Sequence, residues 1–124
     1  MISKKQLYYF YYLVLDLEKS SSQYIPLDIQ IEKLEKLRLC VNKILHPNTD
    51  RLPRKIKYIN STGDGYFIIF ENGEYALKFS FQVHKYLNNH NKEIENKKVY
   101  SQEEIDSKTI VTNIGIDFAL NIIN

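Results

Sequence analysis

The stretch Ile56-Lys57-Tyr58-Ile59-Asn60-Ser61-Thr62-Gly63-Asp64-Gly65-Tyr66-Phe67-Ile68-Ile69-Phe70 decides the fold. Runs rich in β-branched and aromatic residues flank Gly63-Asp64-Gly65. Such runs around a short glycine-containing turn read as a β-hairpin, Ile56 to Thr62 with Tyr66 to Phe70. Side chains alternate along a strand, so Ile56, Tyr58, Asn60 and Thr62 are expected on one face. Upstream, from Pro26, the period becomes helical. Leu27, Ile31, Leu34, Val41 and Leu45 share a face with Ile44 beside it, while Glu32, Lys33, Lys36 and Lys43 lie elsewhere. The helix should stop before His46-Pro47-Asn48, because proline disfavours helical geometry in the residue preceding it. Downstream, Glu74 to Asn89 reads as a second helix with Tyr75, Phe79, Val83, Tyr86 and Leu87 as its buried stripe. Residues 91–107 are polar and charged, and read as a solvent loop with at most a helical fragment. Thr109 to Phe118 is an apolar strand. At the start of the chain, Tyr8 to Leu15 is continuously apolar, the signature of a strand buried on both faces.

The order β-α-β-β-α-β is the α+β, ferredoxin-like arrangement, an antiparallel sheet with two helices on one face. Connection rules make the first two strands parallel and insert the third between them. Asp16, at the end of the first strand, and Asp64, in the turn after the second, should therefore meet at one rim of the sheet. Paired carboxylates suit a hard divalent cation, which takes oxygen ligands and commonly substrate phosphates as well. Two such ions activate an attacking oxygen and neutralise a triphosphate. Ser20 to Ser22 would offer backbone N–H groups to phosphate oxygens. The same residues admit a plainer reading, in which Asp64 serves a turn and Asp16 a helix cap.

Composition narrows the field. A chain of 124 residues makes a single domain, and 44% apolar with 26% charged residues is globular rather than disordered. Lys+Arg 17 against Asp+Glu 15 gives +2, too even to argue for nucleic acid or an anionic membrane by charge. One cysteine, Cys40, excludes an internal disulfide framework and a multi-cysteine zinc site, and fits a reducing compartment. The apolar run Leu7 to Leu17 falls short of the ~20 residues of a spanning helix. Lys4 and Lys5 precede it, but no small-residue cleavage site follows, so a cytoplasmic protein without membrane association is expected. His46, His84 and His90 lack metal-ligand spacing, and the serines lack a histidine in register for nucleophilic catalysis. The aromatic run Tyr8 to Tyr12 reads as core packing, since the basic and aromatic motifs of single-strand RNA binders are missing.

Three segments resemble class III nucleotidyl cyclases, of the adenylate and guanylate type. Leu13-Val14-Leu15-Asp16-Leu17-Glu18-Lys19-Ser20-Ser21 is similar to their first metal-binding segment. Ile59 to Phe70, with Thr62-Gly63-Asp64-Gly65 before an apolar strand, is similar to their second. Asn113-Ile114-Gly115-Ile116-Asp117 resembles the Arg-Ile-Gly-Ile-His strand after their second helix, with Asp117 at the histidine position. The Ser-Ser turn, the nearby Pro26 and Gln30 are also similar to short bacterial stand-alone cyclase domains, some belonging to antiphage pyrimidine cyclase systems. The resemblance implies conversion of a nucleoside triphosphate to a 3′,5′-cyclic nucleotide and pyrophosphate, in bacterial signalling or antiphage defence. It implies two Mg²⁺ or Mn²⁺ ions held by Asp16, Asp64 and the Leu17 carbonyl. Lys19, Ser20 and Ser21 would lie against the phosphates, with Lys19 standing where the family usually has glycine. Asn60 occupies the base-selecting position, where adenylate-type members carry Lys and guanylate-type members Glu. The active form would be a homodimer with sites between protomers. The family's transition-state Asn and Arg find no counterpart, so residues 1–124 are expected to be the N-terminal two thirds of a cyclase domain. The competing expectations are a non-catalytic nucleotide- or partner-binding domain of this fold, and an unrelated interaction domain.

Overall fold

A computed structural model describes residues 6–18, 25–46 and 55–123. The elements run β1 (Gln6–Leu17), α1 (Leu27–Leu45), β2 (Ile56–Ser61), β3 (Gly65–Phe70), α2 (Gly73–Asn96), α3 (Gln102–Lys108) and β4 (Thr112–Ile123). The sheet order is β2-β3-β1-β4, and every neighbouring pair is antiparallel. The chain is α+β with the expected ferredoxin-like arrangement, plus a short helix before the last strand. Both β1 and β2 run opposite to β3, so they are parallel to each other with β3 between them.

Alternation along β1 divides the sheet. Leu13, Leu15 and Leu17 are buried beneath the helices, together with Ile68 and Phe70 of β3. Leu37, Cys40, Val41 and Leu45 of α1 and Ala76, Phe79, Val83 and Leu87 of α2 complete that core, so both helices lie on one face. Tyr12 and Val14 point to the opposite face, where Val14 remains 41% exposed. The expectation that Tyr8 to Leu15 is buried on both faces is therefore corrected: among the described residues nothing covers the second face.

Three further differences have local causes. First, β2 is irregular between Ile56 and Tyr58, with Ile56 opposite Phe70 and Tyr58 opposite Ile69. A bulge at Lys57 inserts one residue and flips the alternation. Ile56 therefore joins the core while Tyr58 and Asn60 take the open face, rather than all three sharing one. Lys57 itself pairs with Glu71 at 2.6 Å. Second, the buried face of α1 is rotated from the expected stripe. Leu27 and Ile31 are 70% and 57% exposed, whereas Lys33 is only 5% exposed. The first turns of α1 project beyond the core, so their apolar residues gain no cover there. Third, α2 runs on to Asn96, and α3 occupies part of the expected loop. Asn91 explains the extension. Its side-chain amide donates to the Ile110 carbonyl at 2.8 Å and accepts from the Ile110 N–H at 2.8 Å, clasping the chain as it enters β4. Ile94 is buried one turn further on. Ser101 and Glu104 form a reciprocal capping box that starts α3. At the other end of α1, the His46 N–H donates to the Asn42 carbonyl, and the helix stops where Pro47 requires it.

No helix among the described residues is long and apolar enough to cross a membrane.

Leu13 and Val14 are adjacent in sequence on opposite faces. Leu13→Ala should cost about 2–5 kcal/mol by leaving a core cavity. Val14→Ala should cost less than about 1 kcal/mol. Urea midpoints of the two variants test the division, and equal losses would contradict it.

Cys40 lies wholly inside the core, and burial pushes its thiol up to about 12. The folded state thus favours the neutral thiol. Its contribution to stability is complete below the unfolded thiol's range, about pH 8.5, and is lost as pH rises toward 12. A thiol reagent at pH 8 should label the protein in urea and spare it in buffer. Rapid labelling of the folded protein would show the site to be open.

Candidate functional site

The turn between β2 and β3 is laid directly on the backbone of β1. Asp16 is the register partner of Gly65, and the Leu17 N–H donates to the Asp64 carbonyl at 3.0 Å. Each turn glycine is required for a separate reason. Gly63 has φ +98°, in the left-handed region that other residues adopt only under strain, with open space around it. At Gly65 a Cβ would meet the Leu15 carbonyl oxygen at 1.7 Å and the Asp16 Cα at 2.9 Å. Only hydrogen fits there, and both obstacles are backbone. The Thr62 N–H donates to the Gly65 carbonyl at 3.0 Å, and the Gly63 N–H to Ser61 Oγ at 3.5 Å. Asp64 is held in a turn fixed from both sides.

Asp16 and Asp64 are therefore neighbours on adjacent segments, one position out of register, and both are half-buried. Alternation with Tyr12 and Val14 places Asp16 on the open face of the sheet. Leu17 belongs to the core face, and its backbone lies at the same rim. Among the described residues no group of three or more His, Cys, Asp or Glu side chains is gathered as for a metal cage. The site is a two-carboxylate one, a donor set that suits a cation taking its remaining oxygens from water and substrate. Lys19, Ser20 and Ser21 lie outside the described residues.

Asn60 is exposed on β2, facing Phe67 across the β2–β3 ladder, and Phe67 in turn faces Val14 of β1. Two strand spacings and one pleat separate Asn60 from Asp16, about 12 Å along the open face. Between them lies an aromatic surface that the sequence reading missed. Tyr12 stacks on Phe67 with ring centroids 6.0 Å apart, and Tyr58 meets Phe67 edge-on at 6.2 Å. The signal was present in the even-numbered positions of β1, but a continuous apolar run hid it. The bulge at Lys57 moved Tyr58 onto this face, and nothing in the local pattern announces a bulge. Asn113, Gly115 and Asp117 of β4 complete the face beside β1, with open space above Gly115.

Behind the turn, on the helix side, Arg38 and Glu35 of α1 pair with each other. They border an open groove of about 240 Å³ with Tyr66, Ser61 and the two turn glycines. Burial raises the Tyr66 hydroxyl above its usual range, and the Arg38 charge partly offsets the rise. The neutral phenol is the form present near neutral pH. This groove does not reach the Asp16 face.

Cys40 is a core residue, as expected of a lone buried thiol. His84 is exposed on α2, His46 closes α1, and His90 lies half-buried toward the end of α2. No family, curated protein or solved structure matches the chain.

The two glycines should respond unequally to alanine. Gly65→Ala drives a methyl group into the β1 backbone and should cost on the order of 3–5 kcal/mol. Gly63→Ala meets only conformational strain and should cost about 1–2 kcal/mol. Denaturation midpoints decide; a Gly65 variant no less stable than the Gly63 variant would remove the close approach on which the Asp16–Asp64 pairing rests.

Proposed function

We propose that the chain is a nucleotidyl cyclase domain. It converts a nucleoside triphosphate to a 3′,5′-cyclic nucleotide and pyrophosphate, in bacterial signalling or antiphage defence. The observation that carries this reading is the juxtaposition of Asp16 and Asp64, fixed by the Leu17 N–H bond to the Asp64 carbonyl and by a glycine that admits no side chain. The carboxylates and the Leu17 carbonyl would hold two Mg²⁺ or Mn²⁺ ions. Bound there, the ions would supply Lewis-acid activation of the ribose hydroxyl and neutralisation of the leaving pyrophosphate.

The chain's own residues have distinct tasks in this reading. The turn fixes the backbones of Asp16 and Asp64 side by side before substrate arrives, which lowers the cost of ordering their carboxylates. Asn60 stands across the open face from Asp16, and its amide both donates and accepts, so it reads a base edge. The Phe67 and Tyr58 rings beside it offer faces for a base to stack upon. Lys19, Ser20 and Ser21 would lie along the phosphates. The half-exposed apolar face, with Val14 and Tyr58 uncovered, supports a homodimer in which a second copy closes the site. A reducing, cytoplasmic setting goes with this reading.

A second reading is favoured by one sequence observation. No Asn-x-x-x-Arg pattern of the family's transition-state type occurs in the chain. On that reading the domain binds a nucleotide or a partner and turns nothing over.

Calorimetry with each of the four triphosphates, with and without Mg²⁺ or Mn²⁺, tests metal-linked binding, and chromatography of the mixtures tests turnover. Weak, metal-dependent binding is expected, with slow or no cyclisation, because donors aimed at the developing charge contribute about 3–4 kcal/mol each. Asp64→Ala should abolish the metal dependence. Asn60→Ala should alter the preferred base and leave metal binding intact. A folded protein without any metal-linked binding would overturn the reading and leave an interaction domain.

A further inference from the structure

A second concave site lies on the helix side of the sheet, between α1, α2 and α3. It is a hollow of about 200 Å³ that shares no lining residue with the Asp16–Asp64 rim. Lys33 and Lys36 of α1, His90 of α2, Lys97 and Tyr100 of the α2–α3 link, and Lys108 of α3 converge on it. Elements far apart in sequence thus bring four lysines to the lining of one small hollow.

Little in the fold accounts for that convergence. Glu32 also lines the hollow, yet among the described residues no carboxylate lies within 4 Å of any of the four ammoniums. Lys33 is 5% exposed, and its Nζ donates to the Ser107 carbonyl at 3.3 Å, near the end of α3. That bond is a structural anchor, and it leaves donors over on an ammonium that carries three. Lys97 and Lys108 flank the Tyr100 ring at 5.8 Å and 5.0 Å from its centroid, and Lys36 lies 5.2 Å from that of Tyr86. Ring faces hold the ammoniums in position without neutralising them. Helix dipoles favour cations at the ends of α2 and α3, but would do so equally if the cations pointed apart. His90 lies at the same hollow, and burial, with smaller effects of the Lys36 and Lys97 charges, holds it below the usual imidazole range despite nearby Glu93. Burial likewise holds Lys33 below the usual ammonium range.

We propose that this hollow is a binding site for a phosphate-type oxyanion, held by Lys33, Lys36, Lys97 and Lys108. A multivalent oxyanion has enough acceptor oxygens for several ammoniums at once, and it supplies the counter-charge that no carboxylate among the described residues provides within 4 Å. The volume is below the ~300 Å³ at which pockets begin to enclose whole small molecules. The site therefore encloses a phosphoryl or pyrophosphoryl group, either free or as the end of a larger molecule that extends into solvent.

The test is calorimetric titration of the full chain with inorganic pyrophosphate, in EDTA at fixed ionic strength. EDTA removes the divalent cations that the carboxylate rim would need, and the Lys97 and Lys108 variants separate this hollow from Lys19, Ser20 and Ser21, so the result is distinguishable from that of the cyclase reading. Saturable binding is expected, and Asp64→Ala should retain it. The double variant Lys97→Gln/Lys108→Gln should bind at least tenfold more weakly. Lys78→Gln/Lys85→Gln removes the same charge from elsewhere on α2 and should bind as the wild type does. All variants are checked for folding by circular dichroism. A parallel titration with adenosine triphosphate identifies the source: equal affinity indicates that the phosphoryl oxygens alone are read, tighter binding that the anion is the end of a larger ligand. No saturable heat from the folded wild type would overturn the proposal. So would equal losses in the two double variants, which would reduce the effect to diffuse charge.

Discussion

The structure turns on the contact between one glycine and one strand. Gly65 lies so close to the backbone of Leu15 and Asp16 that a methyl group would overlap the Leu15 carbonyl. This contact does more than close a hairpin. It sets the register of β3 on β1, and a slip of one residue would send Leu13 and Leu15 to the wrong face. It brings the Asp64 carbonyl to the Leu17 N–H, which ties the turn to the end of β1. The core and the candidate site therefore share one constraint. A change that loosened the turn would disturb both together.

Much of this was legible in the sequence because it rests on local chemistry. Gly63-Asp64-Gly65 between two β-rich runs specifies a hairpin, and Pro47 specifies the end of α1. The topology then follows from connection rules, and with it the meeting of Asp16 and Asp64. What escaped the sequence reading depends on tertiary partners. The bulge at Lys57 puts Ile56 and Tyr58 on opposite faces. The gain is that Ile56 packs opposite Phe70 in the core, and that gain exists only once β3 and the helices are in place. The continuation of α2 through Asn-rich sequence depends on Asn91 meeting both backbone groups of Ile110. Asparagine is a poor helix former taken alone, and here tertiary hydrogen bonding outweighs its propensity. Lys33 illustrates the same point from the charged side. Helical periodicity assigns it to solvent, yet α3 covers it and accepts its hydrogen bond.

The sheet presents its two sides to different environments. On the helix side, aliphatic and aromatic groups fill a core closed by α1 and α2. Beyond that core, α3 meets both helices around a group of lysines, with Lys33 hydrogen-bonded to the Ser107 carbonyl. On the open side, Tyr12, Phe67 and Tyr58 form a contiguous aromatic surface beside Asn60 and Asp16.

β1 carries more apolar residues than its place in the sheet calls for. A central strand in an antiparallel sheet with one open face needs apolar residues only at alternate positions. β1 instead reads Tyr-Tyr-Phe-Tyr-Tyr-Leu-Val-Leu from Tyr8 to Leu15, as though both faces were enclosed. The odd positions from Leu13 to Leu17 are enclosed by α1 and α2. The even positions Tyr12 and Val14 lie on the uncovered side, where Val14 is 41% exposed and solubility alone would favour polar residues. Under the cyclase reading, the open face is the side on which the nucleotide and a second protomer meet, and the apolar even positions are what such a surface requires. Asp16, two residues beyond Val14 on that side, is then the point where the packing surface gives way to chemistry.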